Sequence, residues 1–269
     1  MKTLKIALAL AMAGGMAAAH ADYTFGDVSI NQLNWSESTL DKTQAAPFGA
    51  KRNFQYLEVE GGAGRSWGDV YGFFDLENWN RHDPQMKSGD QRYTFKVIGR
   101  FNLTEVAGLP IKLYTHVYDT RDSDTDPASR GGNQFFDQNR VLGLSTDLNF
   151  GKLWVHPFFG RHQELKAGVG AHMNGYMAGY VAGYDFDLFG QSFALTQWHE
   201  TEFARSDYFT TLAQPGSTPS KRTGQNGAVS LWWNATKHLT AGLQYRYAVN
   251  KLGTAGNEYA WIYTAKYNF

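Results

Sequence analysis

The sequence predicts an all-β chain closed into a transmembrane antiparallel β-barrel of about twelve strands, with short periplasmic turns and long extracellular loops. Three observations carry that reading. First, the segment Glu258 to Phe269 alternates: Tyr259, Trp261, Tyr263, Ala265 and Tyr267 share one face, and Glu258, Thr264, Lys266 and Asn268 share the other. A tilted strand needs roughly 9–11 residues to cross the hydrocarbon, which suits this length. Second, short and long links alternate between similar segments along the chain. Third, Lys2 and Lys5 precede an apolar run from Ile6 to Ala19, and Ala19-His20-Ala21 sets small residues around a cleavage point before Asp22. That order is the mark of a secretory signal peptide, so residues 1–21 are expected to be removed and 22–269 to form an exported barrel domain.

Composition narrows the function classes. There is no cysteine, which excludes a disulfide scaffold, thiol catalysis and a zinc–thiolate site. The 25 basic and 25 acidic residues balance, and nothing points to nucleic acid as a partner. No stretch after the apolar start is long enough for a helical span, but a closed barrel also satisfies every backbone group in lipid. Aromatics at 15%, 29 glycines and a mean hydropathy of −0.45 fit strands with one apolar face toward lipid and one wet face toward a lumen. No residue set calls for a cofactor.

Taken in order, Val28, Ile30, Leu33 and Trp35 mark a first strand from Asp27 to about Leu40, and the break in their spacing predicts a bulge near Gln32. Asp41 to Arg52, with Pro47 and Gly49, reads as a loop. The second strand, Phe54 to Gly64, sets Leu57, Val59 and Ala63 against Tyr56, Glu58, Glu60 and Gly62. After a tight turn the third, Asp69 to Asn78, sets Val70, Phe74 and Leu76 against Asp69, Tyr71, Phe73, Asp75 and Glu77. Asn80 to Gln91 is a polar loop; the fourth strand, Arg92 to Leu103, then points Tyr93, Phe95, Val97 and Phe101 outward and Arg92, Lys96 and Arg100 inward. The fifth strand, from Ile111, places Lys112, Tyr114, His116 and Tyr118 on one face.

Asp119 to Asn133 reads as a loop whose Asp119, Asp122, Asp124 and Asp126 resemble part of a calcium loop but lack its glycine and final glutamate. Further strands are expected near Gln138–Asn149, Leu153–Glu164, Gly175–Asp187, Ser192–Ala204, Asn226–Ala235 and His238–Asn250, with long links at Leu165 to Asn174 and Arg205 to Gln225. Trp154, Tyr176, Tyr184, Trp198, Trp232, Trp233 and Trp261 fall near strand ends, where aromatics form interfacial girdles.

A barrel of this size is too narrow for a wide porin and wide enough for a small solute. Its inward face mixes rings with charges: Tyr56, Glu58, Glu60, Tyr71, Phe73, Asp75, Arg92, Lys96, Arg100, Lys112, Tyr114, His116 and Arg246. Rings can stack a base or sugar, and charged groups can bind ring nitrogens and hydroxyls. The same charges can also simply neutralise one another and fill the bore. A rim enzyme is a second alternative, drawing on His162, His172, His199, Glu200 and Ser206; His199-Glu200 lacks the second histidine of a metalloprotease motif, and no nucleophile elbow is present. A plugged surface barrel serving adhesion or phage docking is a third.

Tyr56-Leu57-Glu58-Val59-Glu60, followed by Trp67-Gly68-Asp69-Val70-Tyr71-Gly72-Phe73-Phe74-Asp75, resembles the nucleoside-specific channel-forming outer-membrane family, the Tsx and OmpK-like group. Asp22-Tyr23-Thr24-Phe25-Gly26-Asp27, Trp35, Val141 to Asp147 and the Tyr267-Asn268-Phe269 end also fit, and Phe73 stands where the family has a second tyrosine. The resemblance implies a twelve-stranded monomeric barrel with a narrow aromatic-lined passage for nucleosides. By motif it assigns Tyr56, Glu58, Glu60, Asp69, Tyr71, Phe73 and Asp75 to that passage, to which the inward pattern adds Arg100, Lys112, His116 and Arg246. The terminal aromatic strand resembles the signal by which such barrels engage the barrel assembly machinery in outer-membrane lipid.

Overall fold

The computed structural model describes residues 22–43, 51–79, 91–122, 135–210, 221–252 and 255–269. The expected signal peptide lies outside these. The strands are β1 (Tyr23–Trp35), β2 (Phe54–Arg65), β3 (Gly68–Glu77), β4 (Arg92–Val106), β5 (Leu109–Asp122), β6 (Phe136–Ser145), β7 (Leu148–Phe150), β8 (Leu153–Lys166), β9 (Gly170–Leu188), β10 (Gln191–Phe203), β11 (Gly224–Asn234), β12 (Leu239–Val249) and β13 (Asn257–Asn268). Apart from β6 and β7, which do not pair with each other, each pairs antiparallel with its chain neighbours, and β1 pairs with β13, which closes the sheet. β6 and β7 both pair with β8 and are one strand interrupted at Thr146-Asp147, so twelve strands make the barrel.

The alternation that predicted the strands is the alternation of the wall. On β13, Glu258, Ala260, Ile262, Thr264, Lys266 and Asn268 are buried inside, while Trp261, Tyr263, Ala265 and Tyr267 are exposed outside. Tight turns close one end. Ala107-Gly108 and Phe189-Gly190 both take left-handed φ at two successive residues, the hairpin turn whose twist matches the strands it joins. The strand ends that flank residues 44–50, 80–90, 123–134 and 211–220 lie at the opposite end.

Four expectations need correction. The first strand ends at Trp35 instead of near Leu40, and Glu37–Thr43 is helical, because Ser36 caps a helical turn there. No bulge occurs near Gln32: β1 pairs without register shift from Asp27 to Trp35, so Leu33 and Trp35 simply turn inward and Gln32 and Asn34 outward. Leu33 and Trp35 face in because an apolar cluster with Tyr56, Ala260 and Ile262 closes the lumen side there. The long link from Leu165 to Asn174 is absent; β8 and β9 pair to Lys166 opposite Gly170 and absorb the irregularity as a bulge at Arg161/Gln163. Trp154, Trp198 and Trp232 face the lumen and are no part of a girdle, unlike Tyr176, Tyr184, Trp233 and Trp261. Trp154 and Trp232 lie over Gly183 and Gly242 of the neighbouring strands, where an added Cβ would sit 2.2 and 2.3 Å from the indoles. Glycine on the inner wall makes the room that an inward tryptophan needs.

Between β1 and β2 a short helix, α1 (Glu37–Thr43), leans on the lumen rim. Ser36 caps it, its Oγ accepting from Thr39 N–H at 3.3 Å. Leu40 packs on the apolar cluster, and Thr39 Oγ1 accepts the Tyr259 N–H at 3.0 Å. The first loop is thereby fastened to the last strand.

Candidate functional site in the lumen

All of the predicted lumen residues project from the inward positions of their strands. Cross-strand register on β2 and β3 sets Tyr56 opposite Glu77, Glu58 opposite Asp75 and Glu60 opposite Phe73, an acidic and aromatic ladder along one wall. Tyr71 donates its hydroxyl to Glu60 Oε2 at 2.6 Å. Lys266 of β13 bonds the other Glu60 oxygen, lies 3.3 Å from Asp27, and sits 5.0 Å from the ring centroid of Trp232. Higher on the ladder Glu77 pairs with Arg92, and Ser29 Oγ donates to Glu58 at 3.4 Å.

At the tight-turn end Arg100 and Lys112 bind Asp69 and Asp147 as a square of charges. Arg100 reaches Asp69 and Asp147 at 2.7 Å each, and Lys112 reaches the same two carboxylates at 3.1 and 2.6 Å. Asp147 comes from the interruption between β6 and β7, so the break in that strand delivers the fourth corner. Each cation meets two anions, and a buried ion pair is favourable only when its remaining donors are satisfied in this way.

Beyond the square, along β5, the wall is more apolar. Tyr114 stacks on Phe158 at 4.2 Å with planes 8° apart, and its hydroxyl meets His116 Nδ1 at 2.9 Å. His116 is therefore a packed and hydrogen-bonded wall residue. Lys96 bonds Glu200 across the lumen, and Lys251 of the last loop reaches in to Glu202 at 2.6 Å. Burial alone would lower the Lys251 ammonium pKa, but Glu202 and Glu200 outweigh it and raise it. At the same end burial pushes Lys51 down to about 8 against the pull of Glu258, 3.6 Å away.

Several inward polar atoms are buried without a hydrogen-bond partner, and two of them stand near the ladder. Asp75 Oδ1 and Arg246 Nε are buried and have no hydrogen-bond partner among the described residues. Asp75 stands on β3 and Arg246 on β12, both on the lumen face. Polar atoms in this condition call for a partner that the protein does not supply.

Among the described residues no group of three His, Asp or Glu side chains is arranged to hold a metal ion. Asp124 and Asp126 of the calcium-like run lie outside the described residues, while Asp119 takes hydrogen bonds from Arg121 and Gln138 on the outer wall. The residues named for a rim enzyme are scattered. His199 points outward to Tyr247 and Thr201, Glu200 inward to Lys96, and His162 bonds Asn139. Sequence reading missed Asp27, Asp147, Glu202 and Lys251 as lumen groups. Strand parity shows Asp27 and Glu202 once the register is known; Asp147 and Lys251 enter from outside the regular strands, where no periodicity marks them.

A family model described as nucleoside-specific channel-forming protein, Tsx, matches residues 30–269. Two outer-membrane proteins OmpK are similar: one of Vibrio parahaemolyticus, 30% identical over 228 residues, and one of its serotype O3:K6 strain RIMD 2210633, 25% identical over 225, each comparison covering 81% of this chain and 82% of the relative. The translocator domain of the autotransporter NalP from Neisseria meningitidis is similar at 10% identity and a TM-score of 0.45, over 100% of this chain and 94% of that one.

Proposed function

Because the chain belongs to the nucleoside-specific channel-forming Tsx family, and so is a channel-forming protein of the outer membrane, we propose that its lumen passes nucleosides, or similar small polar aromatic solutes, by passive selective diffusion. The observation that most supports this reading is that the inward atoms Asp75 Oδ1 and Arg246 Nε are buried with no hydrogen-bond partner, on a lumen face that also carries the rings of Tyr71 and Phe73. A carboxylate accepts from ribose hydroxyls or base N–H groups, a guanidinium donates to ring nitrogens and carbonyls, and an aromatic face stacks the base. Glu58, Glu60 and Tyr56 line the approach; Asp69, Arg100 and Lys112 set the charge at the tight-turn mouth; His116 stiffens β5 beside Tyr114. No step of chemistry is required of any of them. The Tyr267 to Phe269 end is the strand that the barrel assembly machinery would read, and a single closed barrel suffices, so the working unit is a monomer.

The competing reading is a plugged surface receptor of the phage-docking kind. What favours it is the apolar cluster of Leu33, Trp35 and Tyr56 under α1 at the loop end. Uptake into proteoliposomes separates the two. The channel reading expects labelled thymidine to enter faster than arabinose, and Asp75→Asn with Arg246→Gln to abolish the difference. Equal rates for both solutes in the native protein, or no uptake of either, would count against it.

A further inference from the structure

On the outer wall at the long-loop end, the apolar surface gives way to a built polar network. Arg121 donates to Asp119 from Nε and Nη2 at 2.7 and 3.1 Å, and Gln138 donates to Asp119 as well. Arg140 donates to Gln138 Oε1 and, at 3.3 Å, to Gln163 Oε1. Arg161 lies 5.1 Å from the ring centroid of Tyr176 and reaches its hydroxyl at 3.4 Å. These side chains share strand parity with Leu142, Leu144 and Phe159, which are 60, 52 and 52% exposed, so they face the lipid side.

The charge does not cancel. Three guanidinium groups are set against one carboxylate, and that carboxylate is wholly buried while Arg140 and Arg161 are exposed. Asp119 thus acts as a bracket that orients Arg121 and, through Gln138, Arg140. Each guanidinium keeps N–H donors beyond those used here, in the planar fork that suits phosphate. Cations facing lipid are costly near the midplane and nearly free at the interface. Arg161 stands eight residues beyond Leu153, the first residue of β8. At a rise of ~3.3 Å and a tilt of ~40° that is roughly 20 Å along the barrel axis, near the upper edge of an apolar band about 25 Å tall. The arginines therefore stand at headgroup level, directly above an apolar wall of Leu142, Leu144 and Phe159.

A cationic rim over an apolar wall, at the end of the barrel that faces outward from the cell, is complementary to an amphiphile with a phosphorylated head. We propose that Arg121, Arg140 and Arg161 form a docking site for the phosphorylated glucosamine headgroup of the outer-leaflet glycolipid, whose acyl chains lie on Leu142, Leu144 and Phe159. The phosphates complete the donors that Asp119 and the glutamines leave unfilled. Inorganic phosphate shares the head chemistry but has nothing to place on the apolar wall.

The test is native mass spectrometry of the full chain in detergent with bisphosphorylated lipid A and with the same lipid dephosphorylated. The native protein should bind the bisphosphorylated form at least about tenfold more tightly. The variant Arg121→Gln/Arg140→Gln/Arg161→Gln should lose that preference, and Arg161→Gln alone, which disturbs only an exposed contact with Tyr176, should reduce it about threefold. Unchanged single-channel conductance of the variants reports that the barrel has formed. A preference under about twofold in the native protein, its survival in the triple variant or in Arg161→Gln, or its complete suppression by millimolar inorganic phosphate would overturn the proposal.

Discussion

Tyr71 donates to one oxygen of Glu60 at 2.6 Å while Lys266 binds the other, so a single carboxylate ties β2 to β3 on one side and to the closing strand β13 on the far side of β1. The same contact orients an aromatic ring along the passage. Stability and selectivity therefore meet at Glu60.

Glu60→Gln should cost about 1–3 kcal/mol of folding stability, since it leaves Lys266 with Asp27 as its remaining anion. Tyr71→Phe should cost less, about 1 kcal/mol, because it removes one hydrogen bond and keeps the ring. Urea unfolding of the refolded barrel in vesicles, followed by tryptophan fluorescence, measures both. A larger loss for Tyr71→Phe than for Glu60→Gln would contradict the assignment of Lys266 to Glu60.

Asp147→Asn removes one corner of the square with Arg100, Lys112 and Asp69. The tight-turn mouth then carries an added net positive charge, and the reversal potential in a salt gradient should shift toward anions. Asp69→Asn should shift it the same way. An unchanged reversal potential in both variants would show that this square stands outside the ion path.

Gly183→Ala puts a methyl 2.2 Å from the Trp154 indole, a distance no Cβ tolerates. The indole must leave its place on the inner wall, so tryptophan emission should change and stability fall by about 1–3 kcal/mol. The double variant Gly183→Ala/Trp154→Ala should lose less than the two single changes summed. Simple additivity would mean that the ring is not held by that glycine.

Lys51 supplies a pH signature. Its folded-state pKa of about 8 lies below the unfolded value near 10.5, so between these values the unfolded chain binds the proton and the folded chain does not. Stability should accordingly rise with pH across that window, by on the order of 1–3 kcal/mol, and the rise should vanish in Lys51→Met. Thermal melts at pH 7.5 and 10.5 are sufficient; parallel behaviour of the two proteins would refute the depressed ammonium.

Much of the barrel was legible in the chain because a wall between lipid and water writes itself as period-two alternation. β13, β2 and β3 follow it residue by residue, and the faces assigned to Tyr56, Glu58, Glu60, Tyr71, Phe73 and Asp75 are those observed. What stayed hidden breaks that rule for a physical reason. Leu33 and Trp35 look like lipid-facing residues but fill the lumen under α1. Trp154 and Trp232 look like girdle residues, yet each lies over a glycine directly opposite on the neighbouring strand, and that partner is visible only when register is known. Asp147 and Lys251 reach the lumen from a strand break and a loop.

On the proposed reading the lumen selects nucleosides through Asp75, Arg246 and the Tyr71 ring. Single-channel recording of the refolded protein in a planar bilayer, with thymidine or adenosine added, tests it most directly. The account predicts a small conductance that nucleoside blocks, and a block lost in Tyr71→Ala and in Asp75→Asn. A pore indifferent to nucleosides, or one whose block survives both substitutions, would contradict it.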